Sequence, residues 1–211
     1  MGDLARYTSA MRSISATQAP PGSVDWWWQS TNIADTINRA FRATLENPAL
    51  GWCALMGDDH VYPPDLFLKL ADRDVDVVVP LCVNRYPPFG ATITVGGRLK
   101  PWSELPESGL YELQDGENVG DAGMLVRRHV LEAFDPPWYD RLRSGSLGVD
   151  DQCFVARLKE SGFKVHVDMD NRIGHMTPFT MFPIFAEGRW KVRLICGGQM
   201  VADIEAKDGR N

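Results

Sequence analysis

The chain has 211 residues, with 22 Lys and Arg against 28 Asp and Glu, a formal net charge of −6 and a hydrophobic content of 44%. Such values describe an ordinary globular protein whose core needs no covalent staples, and a single domain over 1–211 is the default. The acidic balance argues against a broad nucleic-acid-binding surface, because phosphate backbones are held by positive fields. No apolar run reaches the length of a membrane span and no secretory pattern opens the chain. The four cysteines (Cys53, Cys82, Cys153, Cys196) form no CxxC pair and no zinc spacing. They are expected as buried free thiols, which fits a cytoplasmic protein, host cytoplasm if the gene is a phage's.

Leu4, Tyr7, Met11 and Ile14 recur at helical spacing, so the first expected element is a short amphipathic helix over 3–14. After the Pro20-Pro21-Gly22 loop, Val24 to Trp28 reads as a strand. Ser30, Thr31 and Asn32 supply N-caps for a helix from Ile33 to about Glu46, whose Ile33, Ile37, Ala40, Phe41 and Leu45 keep one face. Trp52 to Met56 is an apolar strand that stops at Gly57-Asp58-Asp59-His60. A helix follows over Pro64–Ala71, then a near-continuously apolar run, Asp76 to Val83, with the pattern of an interior parallel strand. Residues 24–83 therefore predict β-α-β-α-β, and with it an α/β, Rossmann-like, mostly parallel central sheet flanked by helices.

Beyond residue 84 the pattern changes. Ile93 to Trp102 predicts a hairpin turning at Gly96-Gly97, and Gly109 to Gln114 a further strand. Asp121 to Val126 predicts a strand and Arg128 to Phe134 a short helix, followed by a loop over 136–148 rich in Pro, Gly, Arg and aromatics. Asp150 to Ser161 predicts a helix capped by Gly162, and Phe163 to Val167 a strand. Ile173-Gly174-His175-Met176 is a second polar tip. Trp190 to Ile204 predicts a small antiparallel hairpin around Gly197-Gly198, ahead of a polar tail. These parts divide the domain into a first half to about residue 83, a second to about 180, and a C-terminal hairpin.

Chemistry concentrates in three places. Asp58-Asp59-His60 sits at a strand's carboxyl end, where open α/β sheets bind ligands, although acids there also serve as plain turn and cap residues. Asp150-Asp151 opens a helix, where carboxylates complement the macrodipole. His175 is a lone imidazole beside a glycine. The aromatics Trp26-Trp27-Trp28 and Pro137-Trp138-Tyr139 read either as core or as a stacking wall for a sugar or a base.

Together these segments carry a pattern. Trp52-Cys53-Ala54-Leu55-Met56-Gly57-Asp58-Asp59-His60-Val61-Tyr62-Pro63-Pro64-Asp65 resembles the DxD segment of GT-A-fold glycosyltransferases of the family 2 type, including short phage and bacterial ones. Gly120 to Arg128 (GDAGMLVRR) is similar to that family's GMLIRR strand, and Pro137-Trp138-Tyr139 to its PWF loop. Asp150-Asp151-Gln152-Cys153-Phe154 with Arg157 to Phe163 is similar to its ED-x-x-F…RL-x-E-x-G-F helix, and Ile173-Gly174-His175 to its closing metal histidine. The match spans about 24–180. It departs in two respects: Gly57 stands where the first DxD acid is expected, and no strand before Val24 supplies the usual base-binding end.

The resemblance implies transfer of a sugar from a nucleotide diphosphate-sugar to an acceptor hydroxyl, by direct displacement with inversion if an aspartate serves as base, whereas a retaining relative would need no such base. It implies Mn²⁺ or Mg²⁺ held by Asp59 and His175, and a general base at Asp151 or its neighbour Asp150. Asp58, Asn32, Asp35, Asn38 and Arg85 are then candidate donor-binding residues, and Trp138 and Tyr139 candidate acceptor-binding residues. A modified DNA base, a virion protein or a glycan is the expected class of acceptor. Two other readings compete. A nucleotidyltransferase would want a Gly- and Lys/Arg-rich phosphate loop, and none is visible; a non-catalytic nucleotide-sugar-binding module would tolerate Gly57.

Overall fold

The computed structural model describes residues 2–25, 32–140 and 150–205. Its first helix, α1 (Gly2–Ala16), and its second, α2 (Ile33–Glu46), fall where the apolar spacing places them. Asn32 caps α2, its side chain accepting the Asp35 amide at 3.3 Å. Ala34, Ile37 and Phe41 form the buried face of α2. The strand expected at Val24 to Trp28 rests largely on Trp26, Trp27 and Trp28, which lie outside the described residues.

The central sheet has five strands: β1 (Trp52–Ala54), β3 (Val77–Leu81), β6 (Leu110–Glu112), β8 (Leu125–Arg127) and β9 (Val165–Arg172). Their order is β1-β8-β3-β9-β6. Only β3 and β9 pair in parallel; β1–β8, β8–β3 and β9–β6 are antiparallel. The expected mostly parallel Rossmann-like sheet flanked by helices is thus overturned. The strand read from Asp121 begins instead at Leu125 and inserts between β1 and β3, antiparallel to both, with Val126 opposite Cys53 on one side and Val77 on the other. The continuous apolar run of β3 reports burial on both faces, which a central strand of a mixed sheet undergoes equally.

The remaining sheets are small and antiparallel. The expected hairpin forms as β4 (Ile93–Val95) and β5 (Arg98–Leu99), turning through Gly96 and Gly97 at positive φ, and β7 (Glu117–Val119) adds to it. A third sheet joins β11 (Thr180–Ala186), β12 (Arg189–Cys196) and β13 (Gln199–Glu205). Its register sets Met181, Pro183 and Phe185 beside Leu194, Val192 and Trp190 on one side, with Arg193 and Asp203 paired on the other. Met181, Phe185 and Trp190 are well exposed.

Two apolar clusters cover opposite faces of β3. Val77, Val79 and Leu81 pack with Phe41, Phe154 and Val167 on one face; Val78 and Cys82 pack with Leu66, Phe67 and Leu70 of α3 (Leu66–Ala71) on the other. Short α4 (Arg128–Glu132) and α5 (Asp150–Glu160) complete the helices. At the β3–β9 seam the fully buried Asp168 accepts two bonds from Arg73, at 2.8 and 2.9 Å, and one from Asn171 at 2.6 Å. No described helix is long and apolar enough to cross a membrane.

Candidate metal and ligand site

The two polar tips meet through the smallest sheet. Strand β2 (His60–Val61) pairs with β10 (Gly174–His175), setting His60 opposite His175, and the Met176 amide donates to the Asp59 carbonyl at 2.9 Å. Chain segments more than a hundred residues apart in sequence thereby share one pocket. The imidazole rings stack with centroids 4.3 Å apart and an interplanar angle of 22°.

Asp59, buried, is the hub. His60 Nδ1 lies 2.7 Å from its Oδ1 and His175 Nε2 lies 3.5 Å from its Oδ2, while the Arg85 guanidinium pairs with Oδ2. Burial pushes the Asp59 carboxyl up, but contacts with the His175 and His60 imidazoles and the Arg85 charge outweigh this and hold it far below the usual carboxylate range. It is an anion throughout the physiological range. Its neighbour Asp58 is exposed. Cys82, at the end of β3, completes the wall, and burial raises its thiol pKa to about 12.

The geometry of the imidazoles is informative. His175 Nδ1 is 2.8 Å from the Val83 carbonyl, which can only accept, so Nδ1 carries a proton and the ring is oriented with Nε2 facing Asp59. His175 Nε2 and His60 Nδ1 are both buried, and both turn toward the Asp59 carboxylate. Two imidazole nitrogens converging on a buried anion fit a divalent cation.

Gly57 owes its place to this crowding. A Cβ there would stand 3.0 Å from His60 Nδ1 and 3.2 Å from Asp59 Oδ1. The Tyr62 hydroxyl fixes the Gly57 backbone, accepting from its amide at 2.7 Å and donating to its carbonyl at 3.2 Å. Gly57→Ala should therefore destabilise the protein by about 1 to 3 kcal/mol through crowding of both side chains. A thermal melt superimposed on that of wild type would refute the packing argument.

Of the other sequence candidates, Arg85 reaches the pocket. The Thr177 hydroxyl donates to the Arg85 carbonyl at 2.8 Å, and Thr177 Oγ1 also lies 3.2 Å from Cys196 Sγ, so the third sheet buttresses the Arg85 loop. Asn32 is the α2 cap and Asp35 is exposed, 3.6 Å from Arg39. Asn38 is engaged in structure: its Oδ1 accepts from the Trp138 and Tyr139 amides, each at 3.0 Å, and its Nδ2 donates to the Tyr139 carbonyl at 2.9 Å. Trp138 and Tyr139, expected to face an acceptor, are only 2% exposed. Trp138 packs edge-on against Phe41 and donates to the Leu131 carbonyl at 3.0 Å, and Tyr139 stacks on Phe154 at 5.0 Å. They are core residues because the Asn38 clamp turns this loop inward. Asp150 opens α5 as expected; the side chains of Asp150 and Asp151 lie outside the described part of the structure.

The sequence pattern put His60 in the acidic tip but assigned the metal to Asp59 and His175 alone, and it gave no place to Cys82, which the structure brings beside both imidazoles. The signal for His60 was its adjacency to Asp59. Cys82 lies four residues after Val78 in a strand-like run, which puts both on one face and carries the thiol to the strand's end.

No family model and no curated protein matches this chain. Among solved structures it is similar to that described as "Crystal Structure of A197 from STIV", with a TM-score of 0.51 and 16% identity over 85% of this chain and 83% of that one. Identity this low speaks to the fold alone.

Proposed function

We propose that the protein is a metal-dependent glycosyltransferase, taking a nucleotide diphosphate-sugar as donor and an acceptor hydroxyl as second substrate. One observation carries the reading: Asp59 and His175, matched separately to the motifs of that family, stand 3.5 Å apart although 116 positions separate them in the chain (175 − 59). A divalent cation there would be held by the Asp59 carboxylate and the His175 imidazole. When bound, such an ion neutralises the diphosphate leaving group as a Lewis acid.

The chain's own residues supply the rest. Arg85, part-exposed and paired with Asp59, would turn its free guanidinium edge to a phosphate oxygen of the donor. Asn32 and Asp35 lie on exposed surface at the start of α2 and stay candidates for ribose or base contacts. The base that takes the acceptor proton is assigned to Asp151, or Asp150, on the resemblance. Asn38, Trp138 and Tyr139 have no part in donor or acceptor binding in this account; they hold the loop before α5. Four unpaired thiols suit work in the cytoplasm.

The test is a thermal shift with UDP, GDP, TDP and CDP, each with and without Mn²⁺, on wild type and His175→Ala. At a ligand concentration one hundred times Kd, binding stabilises by about 2.7 kcal/mol, a rise of roughly 5 to 10 °C for a chain of this size. At least one diphosphate should give that rise in wild type only when Mn²⁺ is present. Absence of any metal-dependent rise would sink the proposal.

A further inference from the structure

We propose that His60, Cys82 and His175 form a three-donor site for a borderline-soft divalent transition metal of the Zn²⁺ or Co²⁺ class, and that this pocket discriminates against Mg²⁺. The three residues come from three segments, β2, the end of β3 and β10, and each offers one donor atom within 4.8 Å of the other two. Metal–ligand distances of about 2.0 Å to nitrogen and 2.3 Å to sulfur are reached by side-chain movements of about an ångström.

Three features of the pocket point to a cation of this kind. First, His175 has its Nδ1 committed to the Val83 carbonyl, which orients the ring and leaves Nε2 as the donor, the outer-shell arrangement of histidines that ligate metals. Second, His60 Nδ1 and His175 Nε2 are buried and converge on the Asp59 carboxylate from 2.7 and 3.5 Å, so nitrogen donors and an anion are gathered at one point away from solvent. Third, the donor set holds a thiol. A hard-ion site for Mg²⁺ is built of oxygens, whereas imidazole nitrogen with cysteine sulfur is the combination that selects Zn²⁺ and its analogues. The Cys82 proton leaves to solvent on coordination.

Three protein donors leave a fourth position open. Asp59 borders it, with Oδ2 at 3.5 Å from His175 Nε2, so the carboxylate can complete the shell or orient a ligand there. Arg85 holds the same oxygen. The inference stands on these side chains alone, whether or not the protein transfers a sugar.

The test uses chelator-stripped full-length protein titrated with Co²⁺ in the absence of any nucleotide. A thiolate-to-cobalt charge-transfer band should appear, saturate at one equivalent and disappear on adding Zn²⁺, while excess Mg²⁺ leaves it unchanged. Cys82→Ser should abolish the band and Cys53→Ser should keep it. His60→Ala, which leaves the thiol in place, should weaken Zn²⁺ binding by more than about tenfold, a loss that outer-shell changes alone already reach. No band in wild type, or a band that survives Cys82→Ser, would overturn the proposal. Should Cys82→Ser fail to fold, unchanged Zn²⁺ affinity in His60→Ala overturns it equally. A protein that shows the band but binds no nucleoside diphosphate retains this site and loses the glycosyltransferase reading.

Discussion

Trp138→Ala should lower the stability of the protein by about 3 to 5 kcal/mol, the cost of emptying a large aromatic site in a packed core. For a chain of this length that is a fall in Tm of roughly 10 °C. The residue is 2% exposed, lies edge-on to Phe41 at 5.8 Å and gives its indole N–H to the Leu131 carbonyl. Truncation would open a cavity between α2 and α4 and leave that carbonyl without its donor. A sugar-stacking residue behaves oppositely, since its loss weakens acceptor binding and leaves the melt nearly unchanged. Thermal melts of Trp138→Ala beside wild type separate the two, and an unchanged Tm would return Trp138 to the acceptor site.

Arg73→Met should cost about 3 kcal/mol or more, for a different reason. Asp168 is fully buried and takes two hydrogen bonds from the Arg73 guanidinium, which also reaches Asp170 at 2.6 Å. Methionine preserves most of the aliphatic packing and removes the charge, stranding a carboxylate inside the protein. The bonds to Asp168 from Asn171 Nδ2 and from the Asp170 and Asn171 amides remain and limit the loss. Urea denaturation gives the number. Replacing Asp168 by Asn along with Arg73→Met should recover part of it, because a neutral amide is cheaper to bury than an unpaired carboxylate. A double variant less stable than the single one would contradict this account of the seam.

The sequence was legible where periodicity and capping agree. The bounds of α2, the Gly96-Gly97 turn and the hairpin about Gly197-Gly198 all follow from local rules that tertiary contacts reinforce. The sheet was misread because a run such as Val77 to Leu81 records only that both faces are covered. It carries no mark of strand direction, and β8 came from a segment whose Leu125-Val126 pattern is equally compatible with either neighbour. β7 was missed because Glu117 and Asn118 are polar yet buried, their burial sustained by Lys100 at 2.5 Å from Glu117 and by a backbone partner in β4. No local hydropathy rule anticipates that.

At the site, motif order singled out Asp59 and His175, and Arg85 was a candidate from its loop; contact between them depended on a two-residue pairing too short to leave a pattern. Trp138 and Tyr139 were misplaced for a related reason. An aromatic-rich loop reads alike whether it faces out or in, and the Asn38 side chain that turns it inward lies a hundred positions earlier. Cys82 was visible as an apolar-run cysteine, and its place beside two imidazoles depends on the pairing of β2 with β10.

The most direct test of the central claim is the thermal shift of wild type and His175→Ala with nucleoside diphosphates, with and without Mn²⁺. At least one diphosphate should raise the melting temperature of wild type only with the metal present, and His175→Ala should lose that rise. A rise that is independent of metal, or one that persists in His175→Ala, would contradict the claim.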